Sequence, residues 1–214
     1  MKPEPKGGMK PPEYWDKAKR SLARRDPVMA AIMRRHPKLF MARRGEAFMT
    51  LARAICGQQI SVKAAQSVWN RVCECVGEIT PANVLKRKRP QLRACGLSDR
   101  KTEYIADLAQ HFADGKIHER NWPQMDDEAI IAELTDVRGI GRWTAEMFLM
   151  FNLLRSDVFP LDDLGVQKGI RVSYFKGRKV SLARMRKLGE TWRPWRSVAT
   201  WYLWRSLDPL PVEY

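Results

Sequence analysis

Two adjacent carboxylates, Asp162 and Asp163, are the first candidates for chemistry in this sequence. They follow Pro160 and precede the helical segment LGVQKGI. Aspartate is a preferred N-cap residue, because its side-chain oxygen accepts a hydrogen bond from an unpaired N–H group in the first turn of a helix. From the residues alone, a structural cap is therefore the favoured interpretation, and a carboxylate that stabilises developing positive charge is the alternative.

A Gly-x-Gly turn is the second candidate. The stretch VRGIGRWTAEMFLMF places Gly139 and Gly141 between two helical segments, with Trp143 two residues further on. Glycine permits positive φ and close backbone approach, so the glycines alone favour an ordinary tight helix–helix turn. Gly141 also opens a helix, however, and the N–H groups and dipole at a helix start attract anions.

The charge balance indicates which anion that would be. Lys+Arg number 39 against 24 Asp+Glu, which gives a formal net charge of +15 and a pI near 10.0. Such a balance is typical of proteins that bind nucleic acid, so a backbone phosphate is the predicted ligand. An anionic membrane surface and a basic surface without a specific partner are the alternatives.

The sequence also predicts an intracellular protein that is not secreted, either cytoplasmic and associated with the nucleoid or elsewhere inside the cell. No run approaches the roughly 18 apolar residues of a membrane span. The opening MKPEPKGGMKPPEYWDKAKR lacks the apolar stretch of a signal peptide, and we expect a flexible basic arm over residues 1–20 and a folded unit over 21–214. The cysteines have neither CxxC pairs nor iron–sulfur spacing, which predicts buried free thiols and no cluster; they are Cys56, Cys73, Cys75 and Cys95.

Hydrophobic periodicity is helical nearly throughout, which predicts an all-α fold. One apolar stripe comprises Phe48, Leu51, Ala52 and Ile55, and a second comprises Val62, Ala65, Val68, Trp69 and Val72. Helix starts are expected at polar capping residues, namely Ser61, Thr80, Ser98 and Asp126.

Four ordered segments resemble the helix-hairpin-helix DNA glycosylase superfamily, and within it the alkylation-repair branch of the 3-methyladenine DNA glycosylase II type. They are LARAICGQQISVKAAQSVWNRV, GLSDRKTEYIADLA, VRGIGRWTAEMFLMF with SDVFPLDDLGVQKG, and WRPWRSVATWYLW. The resemblance covers roughly residues 25–210. One departure is Arg138, where many members have proline. Without the proline the loop is less rigid, but the arginine adds a charge that can attract phosphate.

The resemblance implies an all-α architecture of two helical lobes with the active-site cleft between them. The hairpin would span about residues 128–154, the N- and C-terminal helices would form one lobe, and about residues 46–150 the other. We expect no N-terminal β-domain of the kind that larger members carry, because the chain begins too close to its first helix.

By this resemblance Asp163 matches the catalytic aspartate, and Asp162 caps or orients. Breaking an N-glycosidic bond builds positive charge on the deoxyribose, and a fixed carboxylate stabilises that charge or aligns the attacking water. In strand-cleaving members, the position two residues after the second glycine holds a lysine that forms a Schiff base. Here that position is Trp143, which predicts a monofunctional glycosylase that leaves the abasic site uncleaved.

The base pocket implied by the resemblance comprises Trp143, Trp204 and Met147. Alkylation at a ring nitrogen makes a purine cationic, and a cation stacks well on an indole ring, with a contribution of roughly 0.5 to 2 kcal/mol. Alkylated purines of the 3-methyladenine and 7-methylguanine type are therefore the predicted substrates. With eight tryptophans in the chain, a role in the core is the alternative for each of them.

The expected partner is double-stranded DNA that contains alkylated bases, bound by a monomer. Flipping a base out of the duplex requires a residue that fills the gap. The resemblance implies that this residue lies in the segment GQQIS, where Gln59 is the first choice and Gln58 the second; helix capping is the alternative for both. We expect the charged run Lys86–Arg89 to be solvent-exposed surface. Phosphate contacts are expected from Gly139, Gly141, Arg142, Thr144, Ser98 and Lys101.

No cofactor is expected for catalysis. Hairpins of this type often hold a structural Na⁺ or K⁺ through backbone carbonyls, which would be those of Thr135, Val137 and Ile140. The sequence leaves two other functions open: a glycosylase of the same fold for a deaminated or oxidised base, and a hairpin module that binds DNA without chemistry.

Overall fold

In the computed structural model, residues 10–207 are described, and every regular element among them is helical, which confirms the all-α prediction. A short 3₁₀ helix spans Trp122–Gln124. In chain order the α-helices are α1 (Trp15–Arg25), α2 (Pro27–Arg35), α3 (Ala47–Gly57), α4 (Val62–Val76), α5 (Pro81–Leu85), α6 (Arg89–Ala94), α7 (Asp99–Ala113), α8 (Asp127–Thr135), α9 (Arg142–Phe151), α10 (Leu164–Phe175), α11 (Leu182–Glu190) and α12 (Arg196–Leu207).

The chain divides into two compact units. Among the described residues, the first unit joins 10–43 to 149–207, and the second is continuous over 44–148. The first unit contains α1, α2, α10, α11 and α12, the second contains α3 to α8, and the boundary falls within α9. The predicted catalytic aspartate therefore belongs to the first unit, and the Gly-x-Gly turn to the second.

Helix α1 begins inside the stretch 1–20 for which the sequence predicts a flexible arm. Trp15 is only 3% exposed; its ring meets Trp201 edge-on at 5.4 Å and stacks on Tyr202 at 5.8 Å. The prediction is therefore wrong from residue 15 onward. The prediction failed because α1 has few buried residues, and the charged residues between them mask its helical hydrophobic periodicity. Residues 1–9 of that arm lie outside the described residues.

The second unit follows its local sequence signals closely. Each predicted cap accepts a backbone N–H from the residue three positions later: Ser61 from Ala64, Thr80 from Asn83, Ser98 from Lys101 and Asp126 from Ala129. The stripe on α3 is buried as predicted, and it comprises Phe48, Leu51, Ala52 and Ile55.

The stripe on α4 is only partly buried. Val68, Trp69 and Val72 lie in the core, whereas Ala65 is half-buried and Val62 is 59% exposed. The expectation for Val62 is wrong because the first turn of α4 lies outside the core that its later turns help to form. An apolar residue is thus presented to solvent directly after the α3–α4 loop.

The four cysteines are free. Cys56 and Cys95 are buried as expected, and burial raises the pKa of Cys56 to about 12 and that of Cys95 to about 11. Cys73 and Cys75 are half-buried, so the prediction is wrong for these two. Within residues 10–207, no helix is long and apolar enough to cross a membrane.

Candidate functional site

The carboxylate of Asp163 is fixed at the N-terminus of α10. Its Oδ1 accepts the backbone N–H of Val166 at 2.7 Å and the indole N–H of Trp204 at 2.9 Å. Its own backbone N–H donates to the carbonyl of Pro160 at 3.1 Å. The predicted cap is therefore confirmed for Asp163. The neighbouring Asp162 is exposed. A carboxylate at the positive end of a helix dipole, held from two directions, has little freedom to reorient.

Two glycines one turn apart bring α10 close to α12. A Cβ on Gly169 would lie 3.1 Å from the carbonyl oxygen of Leu203. A Cβ on Gly165 would lie 3.0 Å from Asp163 Oδ1 and 3.1 Å from Trp204 Nε1. Sequence analysis missed this contact, although glycines four residues apart in LGVQKGI are a readable signal for close helix packing.

Trp204 is half-buried, and its indole has contacts on both a face and an edge. The ring stacks on Phe151 with centroids 6.0 Å apart and planes inclined by 21°, while its N–H donates to Asp163. The structure thus joins two of the predicted site residues, Trp204 and Asp163, within the first unit. The contact with a base that the sequence predicts for Trp204 stays a prediction.

In the second unit, the two glycines of the hairpin between α8 and α9 differ in their surroundings. Gly139 has φ +86°, and a Cβ there would lie 2.1 Å from Cδ2 of Tyr104 on α7. Gly141 has no positive φ, and a Cβ there would meet open space. The fold therefore requires glycine at Gly139, whereas no contact within residues 10–207 explains the glycine at Gly141.

The start of the hairpin is anchored to α7 by Asp107. Its Oδ2 accepts the backbone N–H of Arg138 at 2.8 Å, and its Oδ1 lies 3.2 Å from Arg138 Nε. Proline has no N–H and could not form the first of these bonds. The non-proline residue at this position is thus matched by a specific acceptor, which limits the loss of rigidity expected from the sequence. Nearby, His111 Nε2 lies 3.0 Å from Asp136 Oδ2.

Arg142, a predicted phosphate ligand, is paired inside the protein. Its Nη1 donates to Glu128 Oε2 at 2.9 Å and its Nε donates to Glu146 Oε1 at 3.1 Å. Hydrogen bonding to Arg142 lowers the pKa of Glu128, and the same pairing raises the pKa of Arg142. A phosphate would therefore compete with two carboxylates for this guanidinium.

The remaining hairpin-side predictions fall on the first two turns of α9. Trp143 is 40% exposed, Thr144 is half-buried in the first turn, and Met147 is half-buried one turn beyond Trp143. An exposed fraction of this size is unusual for a core tryptophan, so the core alternative does not apply to Trp143.

The α3–α4 loop distinguishes the two candidate gap-filling residues. The amide of Gln58 donates from Nε2 to the carbonyl of Gly139 at 2.8 Å. Gln59 is exposed and has φ +59°, a left-handed conformation that is uncommon outside glycine. Lys101 on α7 donates from Nζ to the carbonyls of Cys56 at 2.9 Å and Gln58 at 2.6 Å. Burial lowers the pKa of Lys101.

A family model described as the HhH-GPD superfamily base excision DNA repair protein matches residues 52–194. This range contains the α3–α4 loop, the hairpin and Asp163. The chain belongs to the HhH-GPD superfamily. The resemblance inferred from the four sequence segments is thereby confirmed.

Individual HhH-GPD relatives agree with this assignment. The DNA-3-methyladenine glycosylase 1 of Schizosaccharomyces pombe is 34% identical over 165 residues, which cover 75% of this chain and 72% of that protein. The crystal structure of a Bacillus halodurans DNA-3-methyladenine glycosidase aligns with a TM-score of 0.82 at 31% identity, over 90% of this chain and 89% of that one. An S. pombe 3-methyladenine DNA glycosylase in complex with abasic DNA aligns with a TM-score of 0.76 at 31% identity, over 92% and 99%.

Proposed function

We propose that this chain is a DNA glycosylase that hydrolyses the N-glycosidic bond of alkylated purines in double-stranded DNA and leaves an abasic site. The observation that carries the proposal is the fixed carboxylate of Asp163, held by Val166 and Trp204 in an HhH-GPD chain. The names of the similar proteins support the class of lesion.

The reaction requires little more from the protein than this carboxylate. As the bond from C1′ to the base nitrogen breaks, positive charge develops on the deoxyribose, and Asp163 stabilises it or orients the water that attacks C1′. A purine alkylated at ring nitrogen N3 or N7 already carries a positive charge, so it departs as a neutral base without prior protonation. The proton of the attacking water then passes to the carboxylate or to solvent.

The hairpin supplies the phosphate contact in this proposal. The open space at Gly141 lets a phosphate approach the backbone N–H groups at the start of α9, where the helix dipole favours an anion. The turn also suits a structural Na⁺ or K⁺ held by the carbonyls of Thr135, Val137 and Ile140. The Val137 oxygen accepts the N–H of Ile140 at 3.1 Å and keeps a second lone pair for a cation.

Gln59 is the residue that we propose fills the gap left by the flipped base. It is exposed at the tip of the α3–α4 loop, whereas the amide of Gln58 is bonded to the hairpin. Ile60 and Val62 beside it are also exposed. Apolar side chains next to an amide suit a surface that enters between base steps, where unstacking is offset by new contacts.

We further propose that the enzyme is a monomer and monofunctional. Trp143 stands at the position where, by the resemblance, strand-cleaving members carry the Schiff-base lysine. Its exposed indole offers a face to a cationic base, in keeping with alkylpurine substrates. Gel filtration with light scattering, alone and with a short duplex, tests the monomer.

Duplex DNA containing 7-methylguanine tests the activity. We expect release of the free base, detected by chromatography, and strand cleavage only after treatment with alkali. Asp163→Asn should slow release by about 10²- to 10⁴-fold, while Asp162→Asn, which removes the same charge from the exposed neighbour, should stay within a few fold of the parent.

Three outcomes would contradict parts of this proposal. If the parent releases no base, or if Asp163→Asn matches the parent, the catalytic role is wrong. Strand cleavage without alkali would exclude the monofunctional reaction. Release of hypoxanthine or of an oxidised base in preference to 7-methylguanine would replace the lesion class.

A further inference from the structure

An ammonium group from α7 binds the carbonyls at the end of α3. Lys101 Nζ lies 2.9 Å from the carbonyl oxygen of Cys56 and 2.6 Å from that of Gln58. Carbonyls in the last turn of a helix have no partner within the helix, and a lysine side chain is one of the groups that can satisfy them. Lys101 thus closes the C-terminal end of α3 directly before Gln59.

The backbone at Gln59 needs such support. A left-handed φ of +59° is unfavourable for a residue with a Cβ, and such conformations persist only when the surrounding structure fixes them. The bonds of Lys101 fix the carbonyls of Cys56 and Gln58, which lie three residues and one residue before Gln59. The direction in which the exposed side chain of Gln59 leaves the backbone is therefore set by these contacts of the preceding residues.

The same α7 also fixes the hairpin. Tyr104, one turn from Lys101, lies against Gly139 so closely that no Cβ would fit there. The amide of Gln58 then donates to the carbonyl of Gly139 at 2.8 Å. The loop and the hairpin are therefore joined to each other and to one helix.

We propose that Lys101 and Gln58 are positioning residues that set the α3–α4 loop in register with the hairpin. Phosphates bound at the hairpin then determine where Gln59 enters the duplex. The inference rests on the proposed function, in particular on Gln59 as the gap-filling residue, and it replaces the phosphate contact that the sequence predicts for Lys101.

The test compares Lys101→Gln with Arg100→Gln. Both variants remove one positive charge from the first turn of α7, and Arg100 is exposed. Single-turnover release of 7-methylguanine is measured from two duplexes, one with the lesion opposite cytosine and one with it opposite an abasic-site analogue. The second duplex makes flipping easier, because the lesion has no pairing partner.

We expect Lys101→Gln to slow release at least about tenfold from the paired duplex and less than about threefold from the unpaired one. Gln58→Glu should behave in the same way, because its side chain has no N–H to donate to the carbonyl of Gly139. Lys101→Arg should restore most of the rate of base release. Arg100→Gln should show no difference between the duplexes. Equal losses on both duplexes for Lys101→Gln, with a salt dependence of DNA binding lowered by about one phosphate contact, would overturn the proposal.

Hydrogen exchange of the DNA-free protein gives a readout that does not depend on activity. We expect peptides covering residues 56–62 to exchange faster in Lys101→Gln than in Arg100→Gln, with peptides from residues 10–43 unchanged. If the parent releases no base, the proposed function fails and this comparison still tests the attachment of the loop. If the parent is active and exchange over 56–62 is unchanged in Lys101→Gln, the positioning role is wrong.

Discussion

Replacing Gly139 with alanine tests whether the hairpin is built on the contact with Tyr104. The new Cβ would lie 2.1 Å from Cδ2 and 2.4 Å from Cγ of that ring, far inside van der Waals contact. The backbone would also keep φ +86°, which L-residues rarely adopt. Either the ring or the hairpin must move by more than 1 Å, and the bond from Gln58 to the Gly139 carbonyl would be disturbed.

The two costs can be estimated separately. A positive φ costs a residue with a Cβ about 1 to 2 kcal/mol, and overpacking at a filled contact costs about 1 to 3 kcal/mol. Together they predict a loss of about 2 to 5 kcal/mol, a large fraction of the total stability of a typical domain. For a chain of this size, that corresponds to a fall in Tm of about 4 to 20 °C.

Thermal unfolding of Gly139→Ala, Gly141→Ala, Tyr104→Ala and the double variant of residues 139 and 104 separates the contributions. Gly141→Ala is the matched control and should stay within about 1 kcal/mol of the parent, because its Cβ enters open space without a positive φ. Measured against Tyr104→Ala alone, the double variant with Gly139→Ala should lose only the backbone part, because the ring that the new Cβ would overlap is absent. If Gly139→Ala unfolds at the same temperature as Gly141→Ala, the argument is refuted.

Three further predictions concern single groups. Trp204→Phe keeps an aromatic ring but removes the indole N–H held 2.9 Å from the carboxylate at the start of α10. Single-turnover base release should slow about tenfold, because one charge-assisted hydrogen bond worth about 1.5 kcal/mol is lost. An unchanged rate would contradict the orienting role of Trp204. Glu128→Gln removes a carboxylate bound to Arg142, so affinity for duplex DNA measured by fluorescence anisotropy should rise at low salt and converge with the parent at high salt. Burial raises the pKa of Cys56 to about 12 and that of Cys95 to about 11, so both thiols should stay protonated at pH 8. A disulfide reagent should therefore titrate at most two thiols in the folded protein and four in denaturant. Fast reaction of all four thiols in the folded protein would contradict this.

Sequence reasoning succeeded where the determining interaction is local. The cap at Asp163 and the caps of the second unit are closed by residues three positions away, and the apolar stripe on α3 is fixed by periodicity. It failed at the start of α1, where few buried residues are separated by charged ones. It also overextended the buried stripe of α4 to Val62, because the pattern does not tell where neighbouring helices end.

Long-range partners could not be predicted, and they change what several residues do. The indole of Trp204 meets Asp163 across 41 positions of sequence, and Lys101 meets Gln58 across 43. A single sequence contains the residue types for these bonds but not the distances. The paired glycines of LGVQKGI were a local signal for one of these contacts, and sequence analysis did not use it.

The pairing of cations also changes the contribution to DNA binding that is expected from the side-chain charges near the hairpin. A net charge of +15 suggests that side-chain cations dominate binding, yet Lys101, Arg138 and Arg142 are each bonded to acceptors within the protein. A cation that already has an acceptor within the protein gains less from a phosphate, because the first bond must be exchanged for the second. The start of α9 attracts an anion through its helix dipole and not through a side-chain charge, and the open space at Gly141 leaves room for a phosphate there. Gly141→Ala should therefore weaken DNA binding more than removal of any one of these three cations, although it leaves the charge of the protein unchanged.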